Sequence, residues 1–320
     1  MKAIRVNKFG PPKVMQIEEV PDLEPSFGQV VVKVHAVGVN PHDIYIRSGT
    51  YRIKPNLPYT PGKDVAGTIE SIGEGVTRFS IGDRVYATET ITGGYAEQAL
   101  CNESDIQQLP NNISFIQGAG INGPYSTAYR ALFHRAKALP SEVVLIHGAE
   151  GGVGIAAAQF ALAAGMITIG TGSSKEGLQF VSELGVNHVL NHNDPAHFEQ
   201  ALQLTNGNGV NIILEMLANV NLGKDLPILA QSGRVIIIGN LGTVEINPRD
   251  IMMQDASILG MLRGNMNEID RLEIYAAIDA GLRNGTLQPI IFHKIPLAQA
   301  PKAHKLIISS TPFGKIVLVP

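Results

Sequence analysis

The sequence predicts an α/β chain in which a barrel-like β region precedes a doubly wound parallel sheet. Three observations predict it. From Met1 to about Ile121 the chain is dense in short strand-like runs and turn signals. From about Asn122 apolar runs alternate with helical stretches, which implies crossover connections and a parallel sheet. Inside the first such alternation sits a glycine cluster, Leu145-Ile146-His147-Gly148-Ala149-Glu150-Gly151-Gly152-Val153-Gly154.

Taken in order, Met1-Lys2-Ala3-Ile4-Arg5-Val6 reads as a strand, and Val30 to Val39 as a long β run. Val65 to Ile72 alternates and then breaks at Gly73 and Gly75. Gly82-Asp83-Arg84-Val85-Tyr86 is a turn into another strand. Short strands with such turns suit a barrel better than a parallel sheet. Tyr125 to Ala138 then reads as a helix. Strands follow at Val143, Ile167, His188 to Leu190, Val210 to Met216, Arg234 to Ile238 and Ser257 to Gly260. Helical stretches lie between most of them, for example Ser174 to Leu184 and Pro195 to Leu204. A long helix, Glu268 to Asn284, precedes a strand at Ile290 to Phe292, a helix from Leu297 to Ser309 and the strand Lys315 to Val319. These last elements fit a return to the first region.

A chain of 320 residues is expected to form about two domains. Its net charge of −3 and the lack of a basic stripe argue against nucleic acid or a membrane surface as partner. The single cysteine, Cys101, excludes an intrachain disulfide and any multi-cysteine zinc cage, and it reads as a small core residue. His35, within a strand run, reads as a packed histidine and not a ligand. The start of the chain does not resemble a signal peptide, and no apolar run reaches membrane-spanning length. A cytoplasmic protein is expected.

The apolar run Val143 to Ile146 stops at the glycines and resumes as the alanine-rich Ile155-Ala156-Ala157-Ala158-Gln159. In this strand–turn–helix context glycines let backbone approach a pyrophosphate at a helix N-terminus. Gly151 and Gly154 match the dinucleotide fingerprint, Ala149 stands where its first glycine is usual, and Gly152 is an extra. The next strand, Met166 to Gly170, ends in Thr171-Gly172-Ser173-Ser174-Lys175. NAD sites carry Asp or Glu about 20 residues past the glycines, on the ribose hydroxyls. Serines and a lysine stand there instead, and these would hold a 2′-phosphate that a carboxylate would repel. NADP(H) is therefore the expected cofactor. Ser174 also suits a helix cap, and Lys175 reads equally well as a surface helix residue.

With these residues in place, the whole chain resembles the zinc-free medium-chain dehydrogenases/reductases of the zeta-crystallin type, which are NADPH:quinone oxidoreductases. The resemblance is carried by Val34-His35-Ala36-Val37-Gly38-Val39-Asn40-Pro41, Tyr45-Ile46-Arg47-Ser48-Gly49-Thr50-Tyr51, and Pro58-Tyr59-Thr60-Pro61-Gly62-Lys63-Asp64-Val65-Ala66-Gly67. Further matches are Gly93 to Glu97, the glycine loop, Glu215 to Asn221, and Glu245-Ile246-Asn247-Pro248-Arg249-Asp250. It implies a GroES-like, β-barrel-containing catalytic domain over residues 1–122 and 264–320, and a Rossmann NADP(H)-binding domain over 123–263. It also implies that the nicotinamide lies in the cleft between the two.

Zinc-dependent members of the superfamily resemble the chain but carry Cys where Asn40 stands, His-Glu where Lys63-Asp64 stand, and a Cys near Gly123. None of those ligand types is present at those places. No metal is expected, and without a Lewis acid the substrate must itself be a good electron acceptor, as quinones and conjugated enones are. By resemblance, Asn40, Tyr45 and Tyr51 line the substrate pocket, with Tyr45 also near the cofactor. Gly151, Gly152 and Val153 hold the pyrophosphate, with Glu150 and Gly154 in the same loop. Ser173 lies near the 2′-phosphate, and charge logic adds Ser174 and Lys175. His192, Asn221, Ile238, Gly239, Asn240, Leu241, Met261, Leu262 and Arg263 complete the cofactor set. No essential proton donor is expected, because the cofactor carries the hydride and the protein mainly orients it.

Glu150 departs from the family, which usually has a small residue there, and a carboxylate beside a pyrophosphate is unfavourable unless it is paired or turned away. The rival readings are an alkenal or enone double-bond reductase using the same site, and an NADPH-binding structural or RNA-binding protein. A homodimer or homotetramer is expected, both by resemblance and because Ala256 to Leu262 reads as an apolar terminal strand that a bare sheet edge would leave at risk.

Overall fold

Local pairing at the N-terminus produces β1 (Lys2–Val6) and β2 (Met15–Glu19), an antiparallel ribbon. The computed structural model describes residues 1–309 and 313–320, the side chain of Ser309 excepted. It divides into two units, Met1–Gly123 with Gln288–Pro320, and Pro124–Leu287. In the first unit the valine-rich run forms β3 (Gln29–Gly38), and helix α1 (Pro41–Ser48) follows it directly. β4 (Asp64–Ile72), β5 (Arg84–Ala87), β6 (Gln98–Asn102), β7 (Ile106–Gln108) and the single turn α2 (Phe115–Gly118) complete the N-terminal segment. β3 pairs antiparallel with β4 along most of its length and with β6 over Gln29–Lys33. Being flanked on both sides, it is buried almost continuously rather than on alternate residues.

The core of this unit is aliphatic, and Cys101 lies fully inside it, where burial pushes its thiol up to about 12. His35 is a half-buried strand residue that stacks on Phe115, with ring centroids 4.3 Å apart.

Helix α3 (Asn122–Tyr129) carries the chain into the second unit. The helix expected from Tyr125 to Ala138 widens into a π-helix over Arg130–Arg135. Arg130 there donates to Asp270 (2.7 Å) and to the carbonyl of Asn265 (3.2 Å). Strands β8 (Val143–Ile146), β9 (Ile167–Gly172), β10 (His188–Asn191), β11 (Val210–Glu215), β12 (Leu229–Ile237) and β13 (Ser257–Gly260) follow. Between or after them lie α4 (Gly152–Ala163), α5 (Lys175–Glu183), α6 (His197–Leu204), α7 (Ala218–Asp225), α8 (Pro248–Met253) and α9 (Glu268–Asn284).

The six strands are parallel in the order β10-β9-β8-β11-β12-β13. Strand order reverses at β8, the topological switch point at which open α/β sheets bind ligands beyond their carboxyl ends. A cavity of about 340 Å³ opens at the other edge, lined by Val143, Ile167, His188 and Asn211 from the strands' amino ends.

The chain then returns to the first unit as β14 (Ile291–Pro296), α10 (Ala300–Ser309) and β15 (Lys315–Val319). β15 pairs with the far end of β3, through Val37 and Gly38. The return therefore begins at Gln288 and not at residue 264, and α9 lies with the second unit. The reason is physical: Asp270 of α9 takes Arg130 in an ion pair, and His134 lies 3.0 Å from Glu273. The amphipathic pattern that predicts α9 carries no sign of which sheet it serves.

Candidate functional site

Every residue expected to hold the cofactor in the second unit follows the carboxyl end of a parallel strand. The glycine loop follows β8, Ser173 to Lys175 follow β9, and His192 follows β10. Asn221 lies on α7 after β11, Ile238 to Leu241 follow β12, and Met261 to Arg263 follow β13. Sequence spacing alone placed them in separate motifs, and the parallel topology gathers them along one edge.

The loop itself is shaped for close approach. Gly151 is the N-cap of α4 and brings no side chain to its first amides, so Gly152 and Val153 open the helix uncapped. Such an N-terminus favours an anion. Gly154 serves packing: a Cβ there would stand 2.3 Å from the Gly148 carbonyl oxygen and 2.6 Å from Ala149 Cα. The loop is pinned to the end of β9, since Gly148 N–H donates to Thr171 Oγ1 (3.1 Å) and Ala149 N–H to the Thr171 carbonyl (2.7 Å). A dinucleotide pyrophosphate fits this cradle.

Glu150 sends its carboxylate to the residues that follow β9. Its side chain is 1% exposed, and Oε1 accepts from Ser173 N–H (3.0 Å) and Ser173 Oγ (2.8 Å). Oε2 faces Ser174 Oγ at 3.4 Å. Ser174 is also the N-cap of α5, accepting from Gly177 N–H at 2.9 Å, as its sequence position suggested. Lys175, the first residue of α5, is exposed. His192 lies 3.3 Å from Thr171 Oγ1, and burial holds its imidazole below the ordinary range, against the opposing charge of Glu150. Leu241 is 63% exposed, and its amide is tied to Asn219 (2.9 Å). Met261 is buried and Leu262 exposed.

Beneath the loop lies a charge cluster that sequence reading missed. His147 Nε2 is 2.8 Å from Asp225 Oδ1 and 3.5 Å from Glu215 Oε2, with all three residues buried. Nε2 is within hydrogen-bond distance of Asp225, and burial holds the His147 imidazole below its ordinary range. Burial raises Glu215 to about 7, and the neighbouring Asp225 adds to that shift. Glu215 Oε1 accepts the Leu217 amide and Asn221 Nδ2 (3.3 Å), so the cluster also orients Asn221. An acid with a raised folded pKa holds a proton that the unfolded chain releases, so its stability contribution is present at low pH and lost as pH rises through about 7. Glu215→Gln, which keeps the acceptor and removes the charge, should therefore gain stability over wild type between about pH 4 and about pH 8. The gain should reach on the order of 3 kcal/mol. Thermal melts at both pH values check this, and a pH-independent difference would contradict it.

In the first unit, the places that zinc ligands take in zinc-dependent relatives are joined by a different chemistry. Asp64 is 2% exposed and accepts from Asn40 Nδ2 (2.9 Å), Asn122 Nδ2 (2.9 Å) and the Gly123 amide (3.2 Å). Lys315, on β15, sends its ammonium to Asn40 Oδ1 and to Asp64 Oδ2 (3.3 Å). Lys63 instead pairs with Glu89. Nothing in the motifs pointed to Lys315, because it lies 251 residues from Asp64.

Asn40 also precedes α1, and its N–H donates to Asp43 (2.9 Å), which leaves the side-chain amide for Asp64 and Lys315. Tyr45 is half-buried on α1, and its carbonyl accepts the amides of Thr50 and Tyr51 (3.1 Å each). This turn places Tyr51 edge-on to His42, with centroids 4.6 Å apart. The first unit thus brings Asn40, Tyr45 and Tyr51 to one helix and its two ends.

Comparison with known proteins agrees with this architecture. The family model of the alcohol dehydrogenase GroES-like domain matches residues 26–140, and that of the zinc-binding dehydrogenases matches 152–279. The human quinone oxidoreductase is 46% identical, covering 100% of this chain and 98% of its own. Among solved structures, the Escherichia coli quinone oxidoreductase complexed with NADPH superposes with a TM-score of 0.91 at 27% identity, over 100% of both chains. An NAD-dependent alcohol dehydrogenase superposes with a TM-score of 0.93 at 26% identity, again over 100% of both. The chain is therefore an oxidoreductase with GroES-like and Rossmann domains, and it belongs to the quinone oxidoreductase family of medium-chain dehydrogenases/reductases.

Proposed function

We propose that this enzyme reduces quinones with NADP(H), without zinc, in the cytoplasm. The observation that carries the reading is the uncapped N-terminus of α4 behind the Gly151–Gly154 loop, at the switch point of a parallel sheet. NADPH, when bound, supplies the hydride. Gly152 and Val153 would hold its pyrophosphate, with Ser173 and Ser174 toward the adenosine ribose. Asn221, held by Glu215, and the segments Ile238–Leu241 and Met261–Arg263 would orient the nicotinamide half. Asn40, Tyr45 and Tyr51 would line the quinone.

Zinc independence is supported by the donor set. Asn40 offers an amide, Lys63 an ammonium already paired, and the one carboxylate, Asp64, is held by two amide side chains, a backbone N–H and Lys315. Zinc sites are built from thiolate, imidazole and freely available carboxylate. Without a Lewis acid a simple ketone is a poor acceptor, whereas a quinone delocalises incoming charge itself.

Oxidation of NADPH against ortho-quinones, para-quinones and alkenals tests the reading, with metal analysis of the same sample. Quinone turnover that survives chelation is expected. Turnover of alkenals alone would replace it with the double-bond reductase, and one zinc per chain at the Asn40 cluster would reopen alcohol oxidation.

We also propose a homo-oligomer, a dimer or tetramer, assembled through the second unit. β13 is a sheet edge, paired on one side with β12, and Leu262 beside it is 52% exposed. Light scattering should give a multiple of the chain mass, and a stable monomer at assay concentration would contradict it.

A further inference from the structure

Glu150 reaches the place where the sequence reading expected Ser173, Ser174 and Lys175 to act. Ser173 and Ser174 are the residues suited to a 2′-phosphate, yet the Ser173 amide, Ser173 Oγ and Ser174 Oγ already face the carboxylate of Glu150. The fold makes room for it. A Cβ on Gly177 would stand 1.6 Å from Glu150 Oε2, and one on Gly172 would stand 3.1 Å from it. The three donors that meet the carboxylate are neutral, and at 1% exposure water screens its charge little.

The position has a direct chemical consequence. A ribose 2′-hydroxyl is a donor and gains from a carboxylate beside it, whereas a 2′-phosphate brings charge of the same sign and competes for the same serine donors. NAD sites obtain this discrimination from an Asp or Glu at the end of the second strand. Here Ser173 follows the strand end, and a carboxylate reaches the same place from the glycine loop.

We propose that Glu150 is a specificity-determining residue that weakens the 2′-phosphate subsite, so that NADH is accepted on nearly equal terms with NADPH. The inference rests on the dinucleotide reading above and changes one part of it. The charge on Glu150 acts on the phosphate that distinguishes the two cofactors, and not on the pyrophosphate that they share.

The test uses the intact enzyme and adenine nucleotide fragments, so that turnover does not enter. Dissociation constants for 2′,5′-ADP, 5′-AMP, NADPH and NADH are measured by calorimetry on wild type, Glu150→Gln and Glu150→Ser, each checked for folding by its melt. In both variants 2′,5′-ADP and NADPH should bind about tenfold tighter, while 5′-AMP and NADH change less than about twofold. Equal tightening of all four, or no change, overturns the role given to Glu150 and leaves the dinucleotide reading intact. Wild type that binds NADPH more than a hundredfold tighter than NADH overturns it with no variant needed. Failure of all four to bind any form of the protein overturns the dinucleotide reading, and this proposal with it.

Discussion

Lys315→Met is expected to lower the melting temperature by on the order of 10 °C, the largest stability loss from any single side chain named here. Lys315 and Asp64 are both almost fully buried, at 6% and 2% exposure. Removing the ammonium takes away the Lys315 charge and leaves the neutral donors of Asn40, Asn122 and Gly123 on Asp64. Breaking one side of a buried ion pair costs about 3–5 kcal/mol, because the remaining charge has lost its partner and cannot regain water. Adding Asp64→Asn to the same chain should recover most of the loss, since neither charge then remains. A single variant that loses less than about 1 kcal/mol would show that the amides alone satisfy Asp64. Asn40 is held from both sides by this pair, so quinone KM should rise in Lys315→Met more than kcat falls.

Gly154→Ala should abolish tight dinucleotide binding, with an affinity loss of about a hundredfold. The added Cβ would meet backbone on two sides, the Gly148 carbonyl oxygen at 2.3 Å and Ala149 Cα at 2.6 Å. Neither can rotate away as a side-chain tip would. The loop would have to lift from β9, where Gly148 and Ala149 are bonded to Thr171, or α4 would have to shift its first turn. Overpacking of this kind costs about 1–3 kcal/mol in stability. NADPH titration followed by protein fluorescence checks the affinity, and binding within threefold of wild type would contradict the packing role.

Much of this molecule follows from local pattern. The runs at Val143, Ile167, Val210 and Ser257 became β8, β9, β11 and β13, because apolar β-branched stretches between helical ones have few other ways to bury themselves. The glycine loop was legible for the same reason, since its chemistry is carried by neighbours in sequence. Where the reading and the structure part, the cause is distance or direction. The bounds of α9 were predicted from its sequence, but its place in the second unit depends on Arg130 and His134, far back in the chain. Those residues also sit in the π-helix that replaced the second half of an expected α-helix.

The sequence by itself determined the order of elements, the strand–glycine–helix cradle, and the amide, ammonium and carboxylate that stand at Asn40, Lys63 and Asp64. These depend on residue type and short-range periodicity, which tertiary packing does not change. Only the tertiary structure decided what fills those places and which way Glu150 turns. Lys315 reaches Asp64 because β15 pairs with the end of β3, a contact that no local pattern encodes. Glu150 is a loop residue whose charge could have faced the pyrophosphate or the ribose. Gly172 and Gly177, one at the end of β9 and one in α5, leave the space that the carboxylate fills, where it meets Ser173.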